Sequence, residues 1–466
     1  MLLFLRKAVF YPLLILYCLV TPYTILYALG YLISPEQRTL VKTGLVSVIS
    51  FPRHARVFIE GKKFSKATPT VVSDLLPGKY HVRVVRKGFG YWEKEIEIEP
   101  EKATQLEPVL LLPHKPDADV ISHHAFANMV PGTPEAKILA WQNPQLDSLW
   151  KIDLFFKRET LLSRELDIRP GVSIVDILYR EKSPVVLFLV EAAGKRQFFI
   201  FQPGREKKMA ESLNELLPTD ADWIDWNPKN ASQIYFLKDG FLSRLDLNHE
   251  KIYPPIHSDV LGFGVHKKHL YVLKKDYSLL ETGPEGENPD LLLESETLGT
   301  KIFSGVSARY FQIEVLDRDL LVFLSDQGAL ISNRLPYHHV DQGVRGVSRS
   351  HALDEEKVLF WTGHEIGAID FQREKETLFE KEPEEEIFYA GGKDIQQAFW
   401  AYEDSHVIFL DRASVFLLEV KGPKPYLLRE IVRVKPDSRI YYHEGEHALY
   451  YIDAQSRNLV KRKIVE

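Results

Sequence analysis

The hydrophobic pattern of this 466-residue chain changes once, early, and then repeats. From Ala8 to Ile33 the stretch "AVFYPLLILYCLVTPYTILYALGYLI" carries no charge. As a helix its roughly 26 residues extend about 39 Å, against about 30 Å of bilayer hydrocarbon. The run predicts a transmembrane anchor, residues 1–34, tilted or kinked at Pro22, with residues 8–33 in contact with lipid. A cleaved signal peptide has a shorter apolar core, and Ala28 and Gly30 supply only a weak version of its cleavage motif. Arg6 and Lys7 precede the span; Arg38 and Lys42 follow it with Glu36 between them. That small bias favours a single-pass protein with a cytoplasmic N-terminus and the bulk of the chain extracytoplasmic.

Past a polar stalk, residues 35–43, the period becomes two. "LVSVISF" alternates, "ARVFIEGKKF" turns at a glycine, Pro77-Gly78 launches Tyr80, Val82 and Val84 on one face, and "YWEKEIEIEP" alternates again. A small antiparallel sandwich over residues 44–113 is expected. The segment resembles the PEGA domain family. Pro52, Ala55, Val57, Ile59 and Gly61, then Thr68-Pro69, then Leu75, Pro77, Gly78, Tyr80, Val82 and Val84, and finally Lys87, Gly88 and Phe89 stand where that family's pattern places them. Arg53-His54 replaces the family's Glu-Gly, which puts the tight turn there in question. The resemblance implies a non-enzymatic surface or envelope module.

From about residue 120 one phrase returns: a short apolar strand, a polar turn, a second strand. The copies begin near Lys137, Val185, Gln233, His269, Leu320, Val358, His406 and Ala448, about 36 to 51 residues apart, the blade period of a β-propeller. A propeller of seven or eight blades over residues 114–466 follows, and the fold class is mainly β. Trp226, Pro228, Ile234 and Phe236 resemble the Trp-x-Pro…Ile-x-Phe phrase of TolB-like propellers, so the resemblance is to a TolB-like or WD-type ring. The last hairpin has no outer strand after it, while "DADVISHH" precedes the first blade; the two are expected to share a sheet and so protect their edges.

Composition adds mainly exclusions. A net charge of -6 gives no basic excess to neutralise phosphates, so nucleic acid is not an expected partner. The single cysteine, Cys18, rules out a disulfide framework and a thiolate zinc site. His443-Glu444-Gly445-Glu446-His447 matches the HExxH pattern, but that chemistry needs both histidines on one helical face. Here a glycine and flanking Ile440, Tyr441, Tyr442, Tyr450, Tyr451 and Ile452 predict a hairpin turn. His123-His124 and His338-His339 are adjacent pairs, which on a strand face opposite ways and do not chelate one ion. "KGFGYWE" and "LGFGVHK" contain Gly-x-Gly without the third glycine of a dinucleotide site and are expected at strand ends.

No Walker loop and no Gly-x-Ser-x-Gly is present, so no catalytic, cofactor or metal residues are expected. The charge run "REKETLFEKEPEEE" predicts a solvated loop between blades. Within it Glu382, Glu384, Glu385 and Glu386 are the candidate contacts for a basic partner. The expected function is an envelope-anchored binding or scaffolding protein for a protein or glycan partner. The alternative is a glycan-acting hydrolase or lyase, which requires carboxylates from different blades to meet in one pocket with raised pKa.

Overall fold

A computed structural model describes residues 2–33, 39–133, 137–162, 171–179, 185–201, 217–227, 230–294, 306, 308–317, 320–334, 339–341, 347, 349–353, 357–371 and 384–465. The apolar run folds as a helix, Leu2–Ala28, with Pro12 and Pro22 inside it. Phe10–Ala28 is long and apolar enough to cross a membrane, a property it shares with signal sequences. The helix stops five residues short of the apolar run. Gly30 adopts φ +79, Leu29 and Gly30 bond back to Ile25 and Tyr27, and Thr43 bonds to the Gly30 carbonyl. A left-handed glycine of this kind ends a helix without steric cost. Tyr31–Ile33 then pairs antiparallel with Leu40–Lys42, so the end of the expected span and part of the expected stalk form a hairpin.

Two compact units follow from the packing. One comprises Met1–Asp117, Glu419–Leu427 and Lys463–Glu466; the other comprises Ala118–Leu418 and Leu428–Arg462. In the first, two sheets enclose one core. Thr70–Leu75, Gly44–Phe51 and Ala103–Leu110 form one sheet; Lys62–Ala67, Arg56–Ile59, Gly78–Val85 and Trp92–Ile98 form the other. Alternation delivers Val46, Val48, Val57, Val82, Val84, Trp92, Ile96 and Leu106 to the space between them. The sandwich is not wholly antiparallel. Its first and last strands, Gly44–Phe51 and Ala103–Leu110, run parallel, a long-range pairing that hairpin signals do not encode.

The turn at Arg53-His54 survives the loss of glycine. His54 occupies the left-handed region at φ +64. The His54 N–H donates to the Thr68 carbonyl at 2.8 Å, the Ala55 N–H to Thr68 Oγ1 at 2.9 Å, and the Thr68 hydroxyl meets that of Ser50 at 2.6 Å. Those buried bonds offset the cost of a side chain at positive φ.

The second unit is a sequence of antiparallel strand modules, here A to H. Module A is Asn128–Thr133, Lys137–Trp141, Leu149–Asp153 and Arg158–Leu161; B is Ser173–Tyr179, Val186–Ala192 and Lys195–Phe201; C is Trp223–Asn227, Asn230–Lys238, Phe241–Asp246 and Lys251–Ile252. D is Val260–His266, His269–Lys274, Leu279–Thr282 and Asp290–Leu293; E is Phe311–Asp317, Leu320–Ser325, Leu330–Arg334 and His339–Asp341. F is Arg349–Leu353, Lys357–Trp361, Ile366–Asp370 and Glu384–Tyr389; G is Ile395–Ala401, His406–Asp411, Ser414–Glu419 and Leu428–Arg433. H combines Tyr441–His443, Ala448–Ile452 and Leu459–Lys463 with Ala118–Ser122, the segment "DADVISHH" begins. The N-terminal strand is thus the outer strand of the C-terminal sheet.

The second strands are buried on both faces, as Val186, Leu187, Phe188 and Val190 are in B. Their two sets of side chains fill two different spaces. Leu139 of A meets Phe188 of B; Leu187 of B meets Ile234 of C; Tyr235 of C meets Phe263 of D. Tyr271 of D packs with Phe323 of E, and Val322 of E with Phe360 of F. Tyr389 of F lies 5.4 Å from Phe409 of G, Tyr402 in the turn of G stacks on His447 in the turn of H at 4.5 Å, and Ala448 and Tyr450 of H pack against Met129 and Ile138 of A. The succession returns to its start, which makes the unit a β-propeller.

Modules D and E are joined further. Gly262↔Phe311 and Phe263↔Gln312 pair in parallel, merging the two into one eight-stranded sheet. The glycines of "LGFGVHK" are therefore inside a strand, and the strand-end expectation is corrected. A Cβ added at Gly262 would overlap the Phe311 carbonyl, and one at Gly264 the carbonyl of Ile313. Backbone-to-backbone approach requires glycine at both places. Gly264→Ala is expected to separate these strands at a cost of about 1–3 kcal/mol and to lower the propeller's melting temperature by several degrees. Calorimetry of the full chain checks this, and an unchanged transition would show that the pairing contributes nothing.

Candidate functional site

The turn between the first two strands of H, together with the turn of G beside it, gathers histidine, tyrosine and carboxylate groups, including the HExxH match. The match lies on a hairpin: Tyr441–His443 ends a strand, Glu444–Glu446 makes one 3-10 turn, His447 is left-handed at φ 47, and Ala448 begins the next strand. The aromatic and β-branched neighbours pair across that turn, Tyr441↔Tyr450 and Tyr442↔Leu449. An α-helical face is never formed, so the two histidines lack the spacing zinc chemistry uses.

Glu444, Glu446 and His447 each have a local task, whereas His443 Nδ1 is buried without a hydrogen-bond partner. The Glu444 carboxylate accepts the backbone N–H groups of Tyr402 and Glu403, at 3.2 and 2.9 Å, and so caps the turn of module G. His447 stacks on Tyr402, centroids 4.5 Å apart and planes 11° apart, and its Nδ1 lies 3.3 Å from the Tyr442 hydroxyl. Burial, reinforced by Tyr402 and Glu444, keeps that hydroxyl protonated far above the ordinary tyrosine range. Glu446 accepts from Tyr450 at 2.7 Å and pairs with Lys461 at 2.8 Å. Burial opposes ionisation of Glu446, but Lys461 and the Tyr450 hydroxyl outweigh it and hold the carboxyl below the usual range. The bond is present at neutral pH and above; it is lost as pH falls through that lowered pKa.

The same logic runs between other modules. Asn227 Nδ2 donates to the Lys267 carbonyl at 2.7 Å, linking C to D, and His266 Nδ1 lies 3.0 Å from the Val315 carbonyl, linking D to E. Lys357 of F reaches Asp404 of G at 2.5 Å and Asp370 of its own sheet at 3.3 Å. Burial lowers the Lys357 pKa, but the two carboxylates prevail and raise it. Gln397 of G bonds both the N–H and the carbonyl of Ile440, at 2.8 and 3.4 Å. Asn128 of A accepts from Arg439 N at 2.8 Å and donates to the Asp437 carbonyl at 3.0 Å. Sequence reading missed these residues. Their signal was a polar side chain inside an apolar strand, as in "DIQQAFWA".

The acidic candidates are placed differently from the expected loop. Glu384, Glu385 and Glu386 lie on the outer strand of F, opposite Asp370, Ile369 and Ala368, with Glu385 exposed and Glu386 half-buried. The strand breaks the loop expectation because Ile387, Phe388 and Tyr389 continue it as β-formers. Glu382 lies outside the described residues. His123 and His124 follow a strand; His124 stacks on Trp150 at 4.1 Å and pairs with Glu159 at 3.2 Å. His338 lies outside the described residues, and His339 begins a strand. Trp226, Ile234 and Phe236 are buried in C, whereas Pro228 lies outside the described residues. Among the described residues no group of three or more His, Cys, Asp or Glu is placed to hold a metal ion.

Glu444→Ala should leave two turn N–H groups without their acceptor and cost about 1 kcal/mol, with Glu444→Gln milder because an acceptor remains. Chemical denaturation checks the order, and metal analysis of the purified chain should find no stoichiometric zinc that His443→Ala removes.

Residues 43–111 match the model of the PEGA domain. No curated protein matches the chain. Solved structures similar to it include these three. The computationally designed Ika8 protein has 9% identity and a TM-score of 0.44, covering 73% of this chain and 97% of that one. The β-propeller domain of Cps50 (Swd1) from Myceliophteria thermophila has 8% identity and a TM-score of 0.38, covering 75% and 100%. A chain of the yeast Nup82-Nup159-Nup116 nucleoporin complex has 12% identity and a TM-score of 0.37, covering 65% and 97%. The chain thus carries a PEGA-domain match over residues 43–111, ahead of the propeller that its own sheets build.

Proposed function

We propose that this protein is a membrane-anchored binding or scaffolding protein of the cell envelope, in which the helix Leu2–Ala28 holds a PEGA domain and an eight-bladed propeller of TolB-like or WD type, one blade per module, for a protein or glycan partner. The observation that carries this reading is the commitment of the propeller's clustered ionisable groups to bonds within and between blades. Glu444, Asp404, Lys357, Glu446 and Lys461 each hold a turn or a neighbouring strand. The carboxyls displaced among the described residues, Asp220, Asp246, Asp276, Glu446 and Asp453, are all lowered. A glycan hydrolase needs one carboxyl raised so that it can donate a proton. This supports a non-catalytic role over the alternative of a glycan-acting hydrolase or lyase.

The outer strand of F supplies the candidate contact: a run of glutamates at the sheet margin whose field draws a basic partner and weakens with salt. Changing Glu382, Glu384, Glu385 and Glu386 to Gln should remove that partner from pull-downs with the full chain. An unchanged partner set, insensitive to salt, takes the acidic strand out of the account.

The basic N-terminus supports an extracytoplasmic propeller. Protease added to spheroplasts should cut it, and protection of the propeller while an external marker is digested would reverse the orientation.

A further inference from the structure

Two strongly exposed large apolar side chains outside the helix are sequence neighbours. Phe155 and Phe156 are 81% and 75% exposed at the tip of the hairpin joining the third and fourth strands of module A. The tip is built rather than loose. Asp153 Oδ1 accepts the N–H groups of Phe155 and Phe156 at 3.0 and 2.9 Å, Lys157 closes the turn at φ 50, and the rings meet edge to face at 5.0 Å. Lys157 and Arg158 follow immediately, both exposed and neither ion-paired among the described residues.

We propose that this tip, Phe155-Phe156 with Lys157 and Arg158 beside it, is a lipid-surface contact that inserts its rings into the interfacial layer of an anionic bilayer. Two phenyl rings on a short hairpin tip offer a narrow apolar point, whereas the centre of a protein interface is a broad, ringed patch. They do match the dimensions of the headgroup boundary, where aromatic rings sit among acyl chain ends while basic side chains reach the phosphates. The proposal rests on the anchor reading of the N-terminal helix, which would keep a bilayer within reach of the chain.

The test uses the full chain in a Cys18→Ser background, which leaves no thiol. Phe156→Cys then carries an environment-sensitive fluorophore, with Lys393→Cys, on an exposed turn of G, as the reference. Reconstituted in phosphatidylglycerol vesicles, the tip label should brighten several-fold and shift to the blue relative to phosphatidylcholine vesicles, while the reference does not. Phe155→Ser should reduce the change and Lys157→Glu with Arg158→Glu should abolish it, with melting unaltered because all three side chains are exposed. A tip spectrum equal to the reference, or equal in both lipids, overturns the proposal. Burial of the label in native envelopes but not in protein-free vesicles assigns the tip to a protein and also overturns it. Flotation reports the anchor separately: a chain that fails to float with vesicles refutes the anchor, and the tip is then read by adding the same vesicles to the chain in solution.

Discussion

A blade of three or four strands cannot bury its own side chains. Its second strand presents apolar groups on both faces, Leu187 to one neighbour and Phe188 to the other, and each face needs a different sheet to cover it. The propeller therefore depends on closure, and closure depends on Ala118–Ser122 pairing with Leu459–Lys463. Without that pairing the hydrophobic spaces between successive modules would still form, but Ala448, Tyr450 and their partners in A would be held only by packing and the bonds of Asn128 to Arg439 and Asp437.

Closure also sets the use of polar residues. Among the described residues, backbone pairing crosses from blade to blade where Gly262 lets D and E pair and at the single bridges Gln145↔Ser173 and Val434↔Asp453. Elsewhere side chains supply that connection: Asn128, Asn227, His266, Lys357, Gln397 and Glu444 each bond a neighbouring module. A sequence resembling a zinc signature has a structural explanation of this kind. Its glutamate ends up as a cap for another blade's turn and its second histidine as a stacking surface for Tyr402.

Much of this was legible beforehand. Hairpin phrases with a blade period exposed the repeat, and Pro77-Gly78 and Gly61 marked the turns of the sandwich. The HExxH segment read as a turn because Tyr441, Tyr442, Tyr450 and Tyr451 favour strands. What escaped was set by groups distant in sequence. The helix ends at Ala28 because a hairpin takes up Tyr31–Ile33, the glycines of "LGFGVHK" answer to Phe311 and Ile313, and the outer strand of F continues through Glu384–Glu386. None of these has a local signature, since each is decided by what lies opposite.

Lys94 is the clearest such case. In "YWEKEIEIEP" the inward positions are Trp92, Lys94, Ile96 and Ile98, so a lysine stands where the alternation calls for an apolar residue. Its side chain is 2% exposed and that of Glu419 9%; Nζ lies 2.8 Å from one carboxylate oxygen, while Trp92 Nε1 donates to the other at 2.8 Å. Leu427 packs on the same core. The unit that contains the PEGA domain is thus discontinuous in the chain, and its genetic boundary and its physical boundary do not coincide. Severed at residue 113, the N-terminal piece would keep every strand of its sandwich yet lose both the carboxylate that Lys94 and Trp92 meet and the Leu427 side chain on its core. Shuffled into a new protein, such a domain would carry a lysine and an indole N–H whose partners had stayed behind.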